Sequence, residues 1–422
     1  MDSGKFLHGF KPMNSFSFAR MPKVHFGAGK ISELAQTALE FGRHTLLVTG
    51  AKSLQTSGYL EKIQTSLHQA GIRSHLLVID SEPSTDFIDS TCAKLRDLNL
   101  DLVIGIGGGS VIDGAKTISA MLPHTNSVHD HLEDVGRKVP HSGIKLPYIA
   151  VPTTSGTGGE MTKNAVISMI GQNGYKKSLR HDNLIPDAVI VDPELMLLCP
   201  SHITAACGMD AFTQLLEAYL SPIASPLTDA LALSGIEKII QNLIPACTNK
   251  SGDLEVRSNM AYASMLSGVV LANAGLGVVH GLASPIGGYF PVPHGVVCGT
   301  LIASATETNL TALRKQVEFL GNDESTKIKR EAFQIALQKY AKVGKLFANT
   351  VNDEIAITSE KILADFLVSE LNKWTVTLKL PRLSEYGITA QDFDRIVEKT
   401  SNRNNPIALE KAELKAILAQ RL

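Results

Sequence analysis

The sequence lacks an excess of charge of either sign. Its 422 residues include 40 lysines and arginines against 41 aspartates and glutamates, so the formal net charge is −1. No basic run is long enough to attract a phosphate backbone or an anionic lipid surface. We therefore expect neither a nucleic acid nor a membrane as partner, and look for a small-molecule ligand instead.

Cysteine is also scarce, and no Cys-x-x-Cys pair occurs among the five cysteines. An odd number of cysteines without paired spacing is typical of a reduced chain. The N-terminal stretch MDSGKFLHGFKPMNSFSFARMPK lacks the apolar core of a signal peptide. Together these absences predict a cytoplasmic protein.

Charged residues are missing altogether from residues 258–306, and parts of this region are strongly apolar. A membrane-spanning helix needs about 20 apolar residues. Asparagines, histidines and three prolines interrupt the region, so it favours a buried helix pair at the centre of a domain over a membrane span.

The first half of the chain alternates short β-branched runs with amphipathic segments such as 83–97. Such alternation predicts a mostly parallel sheet covered on both faces. An antiparallel hairpin of 164–170 and 175–180 is expected to join this sheet. The predicted strands cover 44–50, 74–80, 100–109, 147–154 and 187–193.

After about residue 195 the strand patterns fade and helical patterns dominate. We expect an α/β domain over 1–197 (the α/β half) and an all-helical domain over 198–422 (the helical half). A cleft between two such domains is a natural ligand site. The predicted helices cover 204–220, 226–243, 258–274, 329–347, 358–374 and 407–421.

A glycine-rich turn, GIGGGSVIDGAK (105–116), follows a predicted strand and opens a predicted helix. Its glycines allow a phosphate to approach the backbone, and the helix N-terminus adds partial positive charge. Because Ser110 occupies the last position of the usual Gly-x-Gly-x-x-Gly pattern, the alternative that the turn is purely structural stays open.

A second loop of small residues, VPTTSGTGGE (151–160, the threonine loop), also follows a strand and offers Thr153, Thr154 and Thr157 as donors. Alone it would fit an ordinary polar loop. Two such loops at the carboxyl ends of strands suggest a dinucleotide lying across the sheet.

The helical half begins with a helix that places Asp210 and Gln214 four residues apart, on one face. Asp210 suits a hard metal ion, whereas an amide is a weaker ligand than the histidine usual in metal sites. From these residues alone the face is a metal site with an odd ligand, a site without metal, or a helix surface.

Four motifs resemble the iron-containing, or group III, alcohol dehydrogenases across nearly the whole chain. They are GGGSVIDGAK, TTSGTGGEMT, AACGMDAFTQLLEAYLS and VVHGLASPIGGYFPVPHG. The resemblance implies the fold of that family, also called dehydroquinate synthase-like: an α/β dinucleotide-binding domain followed by an all-helical one. It also implies a nicotinamide-dependent alcohol dehydrogenase or aldehyde reductase that is a homodimer or larger.

The resemblance further implies roles for individual residues. The cofactor would bind to the glycine turn, the threonine loop and the hairpin; the residues are Gly107, Gly108, Gly109, Ser110, Asp113, Thr153, Thr154, Thr157 and Lys176. A divalent metal, Fe²⁺ or Zn²⁺, would bind to Asp210, Gln214, His280 and His294. His280, His294 and Ser284 would carry catalysis.

This sequence departs from the family pattern at three positions. Gln214 stands where a metal-binding histidine is usual, Ser284 where a proton-relay histidine is frequent, and Gly159 where a serine is frequent. Two alternatives therefore stay open: a metal-free reductase like the maleylacetate reductases, with His280 and His294 acting directly on the substrate, and a nucleotide-binding module without catalysis.

The choice between NAD and NADP depends on the residue after the strand TLLVT. Many NAD-using relatives have an aspartate there, which repels the 2′-phosphate of NADP. Here Gly50 and the nearby Lys52 exclude neither cofactor. The sequence does not identify the substrate but allows a short or medium aliphatic alcohol. Phe212 is among the apolar residues expected to line its pocket.

Overall fold

The computed structural model describes residues 15–321, 323–350 and 359–422. Within these residues the strands are β1 (Lys23–Phe26), β2 (His44–Gly50), β3 (Arg73–Ile79), β4 (Leu102–Gly107), β5 (Tyr148–Pro152), β6 (Asn164–Met169), β7 (Tyr175–Arg180) and β8 (Ala188–Val191). The α-helices of the α/β half are α1 (Leu34–Leu39), α2 (Ser53–Thr56), α3 (Tyr59–Gln69), α4 (Thr85–Leu95) and α5 (Gly109–Met121).

The helical half contains the longer helices. They are α6 (Ser201–Leu220), α7 (Pro226–Cys247), α8 (Leu254–Ala274), α9 (Val278–Tyr289), α10 (His294–Leu320), α11 (Lys327–Thr350), α12 (Glu360–Thr377), α13 (Phe393–Glu398) and α14 (Lys411–Ala419). The predicted start of the 358–374 helix, at residue 358, lies outside the described residues.

Six strands form one parallel sheet in the order β1-β8-β5-β4-β2-β3. The predicted parallel sheet is confirmed, and β1 is added at its edge. The expected hairpin exists as β6 and β7, but it forms a separate two-stranded sheet, so the prediction that it joins the main sheet is wrong.

The order of the strands reverses between β2 and β4. From β2 the chain moves outward to β3 and then returns to place β4 on the other side of β2. In open parallel sheets such a reversal leaves a crevice at the carboxyl ends of the two strands, where ligands bind. Gly50 ends β2 and Gly107 ends β4, so both lie at this crevice.

Both faces of the sheet are apolar, as parallel strands require. In β2, Leu47 points to a core formed with α1 and α3, whereas Leu46 and Val48 point to the opposite core. That second core contains α5 and continues without a break to residues such as Leu301 in the helical half. One apolar core therefore joins the two halves.

The charge-free region 258–306 forms three buried segments rather than the predicted helix pair: most of α8, all of α9 and the first half of α10. Among the described residues, no single helix is long and apolar enough to cross a membrane. Helices α8 and α9 reach that length and composition only as a pair, which is bent by 99°.

Short-range hydrogen bonds cap the first turns of α7 and α8. At the start of α7 the Ser225 hydroxyl accepts from the backbone N–H of Thr228, and the Thr228 hydroxyl accepts from the backbone N–H of Ser225. Pro226 follows at the first helical position, where its missing N–H group costs no hydrogen bond. The carboxylate of Asp253 accepts from two backbone N–H groups of α8. Polar residues thus precede the apolar patterns of α7 and α8, whereas a proline precedes α6 and another precedes α10.

An aromatic cluster ties α6 to α11 and α12. The ring centroid of Trp374 lies 4.8 Å from that of Phe347 and 5.3 Å from that of Phe212. Phe212 is fully buried in this cluster, so the expectation that it lines a substrate pocket is wrong.

Candidate active site

The glycine turn lies at the crevice where the strand order reverses. A Cβ atom on Gly107 would lie 2.6 Å from the side chain of Val111, and one on Gly109 would lie 2.8 Å from the Thr157 methyl group. Gly108 has more room, since its nearest neighbour, Thr154, would be at 3.5 Å. Helix α5 begins directly after this turn and points its free N–H groups at the crevice.

The threonine loop packs against the glycine turn. The backbone N–H of Thr153 donates to the carbonyl oxygen of Gly107 at 2.9 Å. The ammonium group of Lys116 is completely buried and donates to the carbonyl oxygens of Gly159, Thr162 and Asn164 at 2.6, 2.8 and 2.9 Å. Lys116 therefore fixes the loop from beneath. We did not single it out from the sequence, although it ends the GGGSVIDGAK motif.

Three further predicted cofactor residues surround this crevice. Ser110 and Asp113 lie in the first turns of α5, and Lys52 is exposed before α2, close to the end of β2. Burial raises the pKa of Asp113 to about 6, against the opposing charge of Lys116.

A cluster of donor atoms forms where three helices of the helical half meet. Asp210 comes from the middle of α6, His280 from the first turn of α9 and His294 from the first residue of α10. The Asp210 Oδ1 atom lies 3.3 Å from Nε2 of His280 and 3.7 Å from Nε2 of His294. The structure thus brings together three of the four predicted metal ligands.

Glu217 orients His280. Its Oε2 atom lies 2.6 Å from Nδ1 of His280, while its Oε1 accepts from the backbone N–H of Val279, also at 2.6 Å. The carboxylate therefore holds the ring from behind and also satisfies a free N–H group of α9. This contact directs Nε2 of His280 at Asp210. Sequence reasoning missed Glu217, although it lies seven residues after Asp210, on the same helix face.

Cys298 is the fourth His, Cys, Asp or Glu side chain in the cluster. Its sulfur lies 3.6 Å from Nε2 of His280 and 3.7 Å from Nε2 of His294. The donor atoms of Asp210, His280, His294 and Cys298 all lie within 4.8 Å of one another, and among the described residues no other such His, Cys, Asp and Glu group occurs.

Gln214 is buried beside this cluster. Its Oε1 atom accepts a hydrogen bond from the Ser267 hydroxyl of α8 at 2.8 Å. The same hydroxyl lies 3.4 Å from the carbonyl oxygen of Gly156, in the threonine loop. Gln214 thus connects α6 to α8, and Ser267 in turn contacts the threonine loop of the other half.

The electrostatics of the cluster favour a charged carboxylate. Burial alone would raise the pKa of Asp210, but the nearby imidazoles of His294 and His280 outweigh it and lower that pKa. Burial opposes protonation of His280, yet the neighbouring Cys298, Asp210 and Glu217 raise its pKa well above the usual value. Burial lowers the pKa of His294 to about 4 and raises the pKa of Cys298 to about 12.

The β6–β7 hairpin carries Lys176 to the helical half. Its ammonium group donates to Glu82 at 2.6 Å, and both charges influence His294. The Ser284 hydroxyl donates to the carbonyl oxygen of Lys176 at 3.0 Å, so its proton is committed to the backbone. Gly288 of α9 permits this close packing, because a Cβ there would lie 2.9 Å from the Cα of Tyr175.

Two family models match the chain, with residues 22–193 matching "Iron-containing alcohol dehydrogenase" and residues 204–422 the C-terminal region of the same family. The chain belongs to the iron-containing alcohol dehydrogenase family.

Named relatives of this family agree along the chain. The NADPH-dependent butanol dehydrogenase of Clostridium saccharobutylicum is 32% identical over 410 residues, which cover 93% of this chain and 95% of the relative. Long-chain-alcohol dehydrogenase 1 of Geobacillus thermodenitrificans is 32% identical over 404 residues, 94% of each chain. The crystal structure of a 1,3-propanediol oxidoreductase superposes with a TM-score of 0.83 at 28% identity, over 97% of this chain and 100% of the other.

The resemblance to iron-containing alcohol dehydrogenases and the predicted fold are thereby confirmed. The roles of individual residues, and the domain boundary at 197/198, stay predictions; the two family models leave residues 194–203 between them. For an iron-containing alcohol dehydrogenase the unexpected feature is the sulfur of Cys298, beside a glutamine that replaces the usual histidine.

Proposed function

We propose that the protein is an NAD(P)-dependent alcohol dehydrogenase that transfers hydride between the nicotinamide and a carbonyl carbon. The main observation in support is the cluster of Asp210, His280 and His294, in which the charge of Lys176 from the α/β half acts on His294. One carboxylate and two imidazoles with their Nε2 atoms turned to one point suit a divalent metal such as Fe²⁺ or Zn²⁺.

When bound, the ion would supply Lewis acidity at the carbonyl oxygen and the nicotinamide would supply the hydride. Asp210 brings negative charge to the ion, and Glu217 keeps Nε2 of His280 free to bind it. The glycine turn and the N-terminus of α5 would hold the pyrophosphate. Lys176, fixed by Glu82, would contact the nicotinamide ribose.

The names of the relatives favour an aliphatic alcohol or aldehyde as substrate, since one is a butanol and another a long-chain-alcohol dehydrogenase. Gly50 supports use of NADPH as well as NADH, because no carboxylate at the end of β2 repels a 2′-phosphate. We further propose a cytoplasmic homo-oligomer, with five unpaired cysteines in the reduced state.

A metal-free reductase is the competing proposal, and one observation favours it. Both ring nitrogens of His280 face carboxylates, with Nδ1 at 2.6 Å from Glu217 and Nε2 at 3.3 Å from Asp210, an arrangement that suits a doubly protonated ring. His280 could then donate directly to the substrate oxygen, as in the alternative based on maleylacetate reductases.

Metal analysis and turnover of the same preparation test the proposal. The protein is purified without chelator, its metals are quantified, and NADH and NADPH oxidation is followed with a panel of aldehydes. We expect Asp210→Ala to lose the metal and on the order of 100-fold or more of kcat/KM, because the Lewis acid contributes several kcal/mol. Asp182→Asn, at an exposed carboxylate, is the control.

If neither a chelator nor the Asp210→Ala substitution changes the rate of aldehyde reduction, the metal-free reductase is favoured. Cofactor binding without turnover of any aldehyde or alcohol in the panel would favour a nucleotide-binding module.

A further inference from the structure

Cys298 lies one helical turn after His294. On α10 this spacing of four residues places both side chains on one face, turned towards α6 and α9. The thiol is fully buried, and its sulfur contacts the imidazoles of His280 and His294 and the carboxylate of Asp210. A buried sulfur at such distances from two imidazole nitrogens is placed to share a cation with them.

Gln214 is placed differently. Its recorded oxygen contact is with Ser267, and that hydroxyl in turn borders the threonine loop. The amide therefore serves as a buried link between α6 and α8. A glutamine that binds a metal would have to give up this hydrogen bond, which contributes about 0.5–1.5 kcal/mol. The Ser267 hydroxyl would still have the carbonyl oxygen of Ser264 as an acceptor, at 2.7 Å.

We propose that the Cys298 thiolate is the fourth protein ligand of the metal, so that the donor set is Asp210, His280, His294 and Cys298. Gln214 is then a positioning residue. This assignment rests on the proposed metal site. Upon binding, the thiol proton leaves for solvent as the metal–sulfur bond forms.

The sulfur changes which metal the site prefers. Thiolate is a softer ligand than the amide oxygen or imidazole that it would replace, and mixed sulfur and nitrogen sets favour Zn²⁺ and Co²⁺. We therefore expect this chain to retain Zn²⁺ more firmly than Fe²⁺. The loss of histidine at 214 and the presence of cysteine at 298 would together move one ligand from α6 to α10.

Cobalt substitution tests the assignment by spectroscopy, independently of activity. The metal-depleted full chain is loaded with Co²⁺, its cobalt content is measured, and its near-ultraviolet spectrum is recorded. A cobalt–thiolate bond gives an intense charge-transfer band that nitrogen and oxygen ligands do not give. We expect the band in the parent, in Gln214→Ala and in Cys92→Ser, which removes another buried thiol, and its loss in Cys298→Ser.

X-ray absorption of the zinc-loaded parent avoids dependence on a variant that fails to fold. It should show one sulfur at about 2.3 Å from zinc. One equivalent of bound metal without the sulfur signal would overturn the role of Cys298 and leave the proposed dehydrogenase intact. A parent that binds no metal, yet reduces aldehydes, would overturn both the metal site and this assignment.

Discussion

Glu217 is the residue on which the orientation of His280 depends. We expect Glu217→Gln to keep a hydrogen bond to Nδ1 of His280 but to remove the negative charge that makes the ring a strong ligand. Zinc affinity should fall about 10- to 100-fold, as for other carboxylates that support a metal-binding histidine. The measurement is competition with a chelating dye.

Glu370→Gln is the matched control for that change. Glu370 is another buried glutamate of the helical half, and its recorded ion pair is with Lys373 on its own helix. An equal loss of zinc affinity in both variants would show that the effect on Glu217 is a general loss of stability.

Gly50 is the residue that bears on cofactor choice. A Cβ there would meet only the Val111 side chain, at 3.8 Å, so the backbone at this position has room for a side chain. We expect Gly50→Asp to weaken NADPH binding at least about tenfold by repulsion of the 2′-phosphate, with a much smaller effect on NADH. Fluorescence titration with both cofactors checks this, with Gly50→Asn as the uncharged control. Equal weakening of both would place the adenosine ribose elsewhere.

At the scale of elements, the turn between β4 and α5 offers a second test. Gly108→Val should reduce affinity for both NADH and NADPH at least about tenfold, because the side chain would occupy the place of the pyrophosphate. The variant should still fold, because the protein atoms nearest to its Cβ lie at ordinary contact distance. Gly107→Val and Gly109→Val should instead destabilise the protein, since their Cβ atoms would overlap Val111 and Thr157. Cofactor titration and thermal unfolding of the three variants separate the two effects. Unchanged cofactor affinity in a folded Gly108→Val protein would contradict the assignment of the turn.

The elements that sequence could predict are those with strong local signals. The five strands predicted for the main sheet each combine a β-branched run with a turn signal, and the sequence located them and the glycine turn to within a few residues. Strand β1 was missed because its four residues are only half buried and its pairing with β8 joins distant parts of the chain.

Helical spacing alone pointed to Asp210 and Gln214 as a possible metal face, whereas His280 and His294 were predictable only through the family resemblance. Cys298 and Glu217 lie at helical spacing from these residues, but spacing alone does not say which face of a helix meets another helix. Only the packing of α6, α9 and α10 supplies that information. The separation of the hairpin from the main sheet is likewise a consequence of its packing on α5 and α9.

At the scale of the whole molecule, a buried glutamate at the end of the threonine loop, Glu160, makes stability depend on pH. Burial raises the pKa of Glu160 from 4.5 to about 7, although the charge of Lys116 opposes the shift. The unfolded chain therefore loses this proton at lower pH than the folded one. Stability should fall as pH rises from about 4.5 to 7, by roughly 2–3 kcal/mol from this group.

The variant Glu160→Gln, which imitates the protonated acid, should remove that decline. We expect its melting temperature to exceed that of the parent increasingly between pH 5 and 7.5. Glu133→Gln, at an exposed glutamate of the same half, should show no such trend. A constant difference between Glu160→Gln and the parent across this range would refute the raised pKa.

The apolar core that runs from the sheet into the helical half has a thermodynamic consequence. Leu46 and Val48 of β2 belong to the same core as Leu301 of α10. Neither half can lose its structure without exposing the apolar surface of the other, so the chain should melt as one cooperative unit despite its two domains. Its sole tryptophan, Trp374, lies in the helical half, so a single fluorescence transition would then also report the disruption of the parallel sheet in the other half.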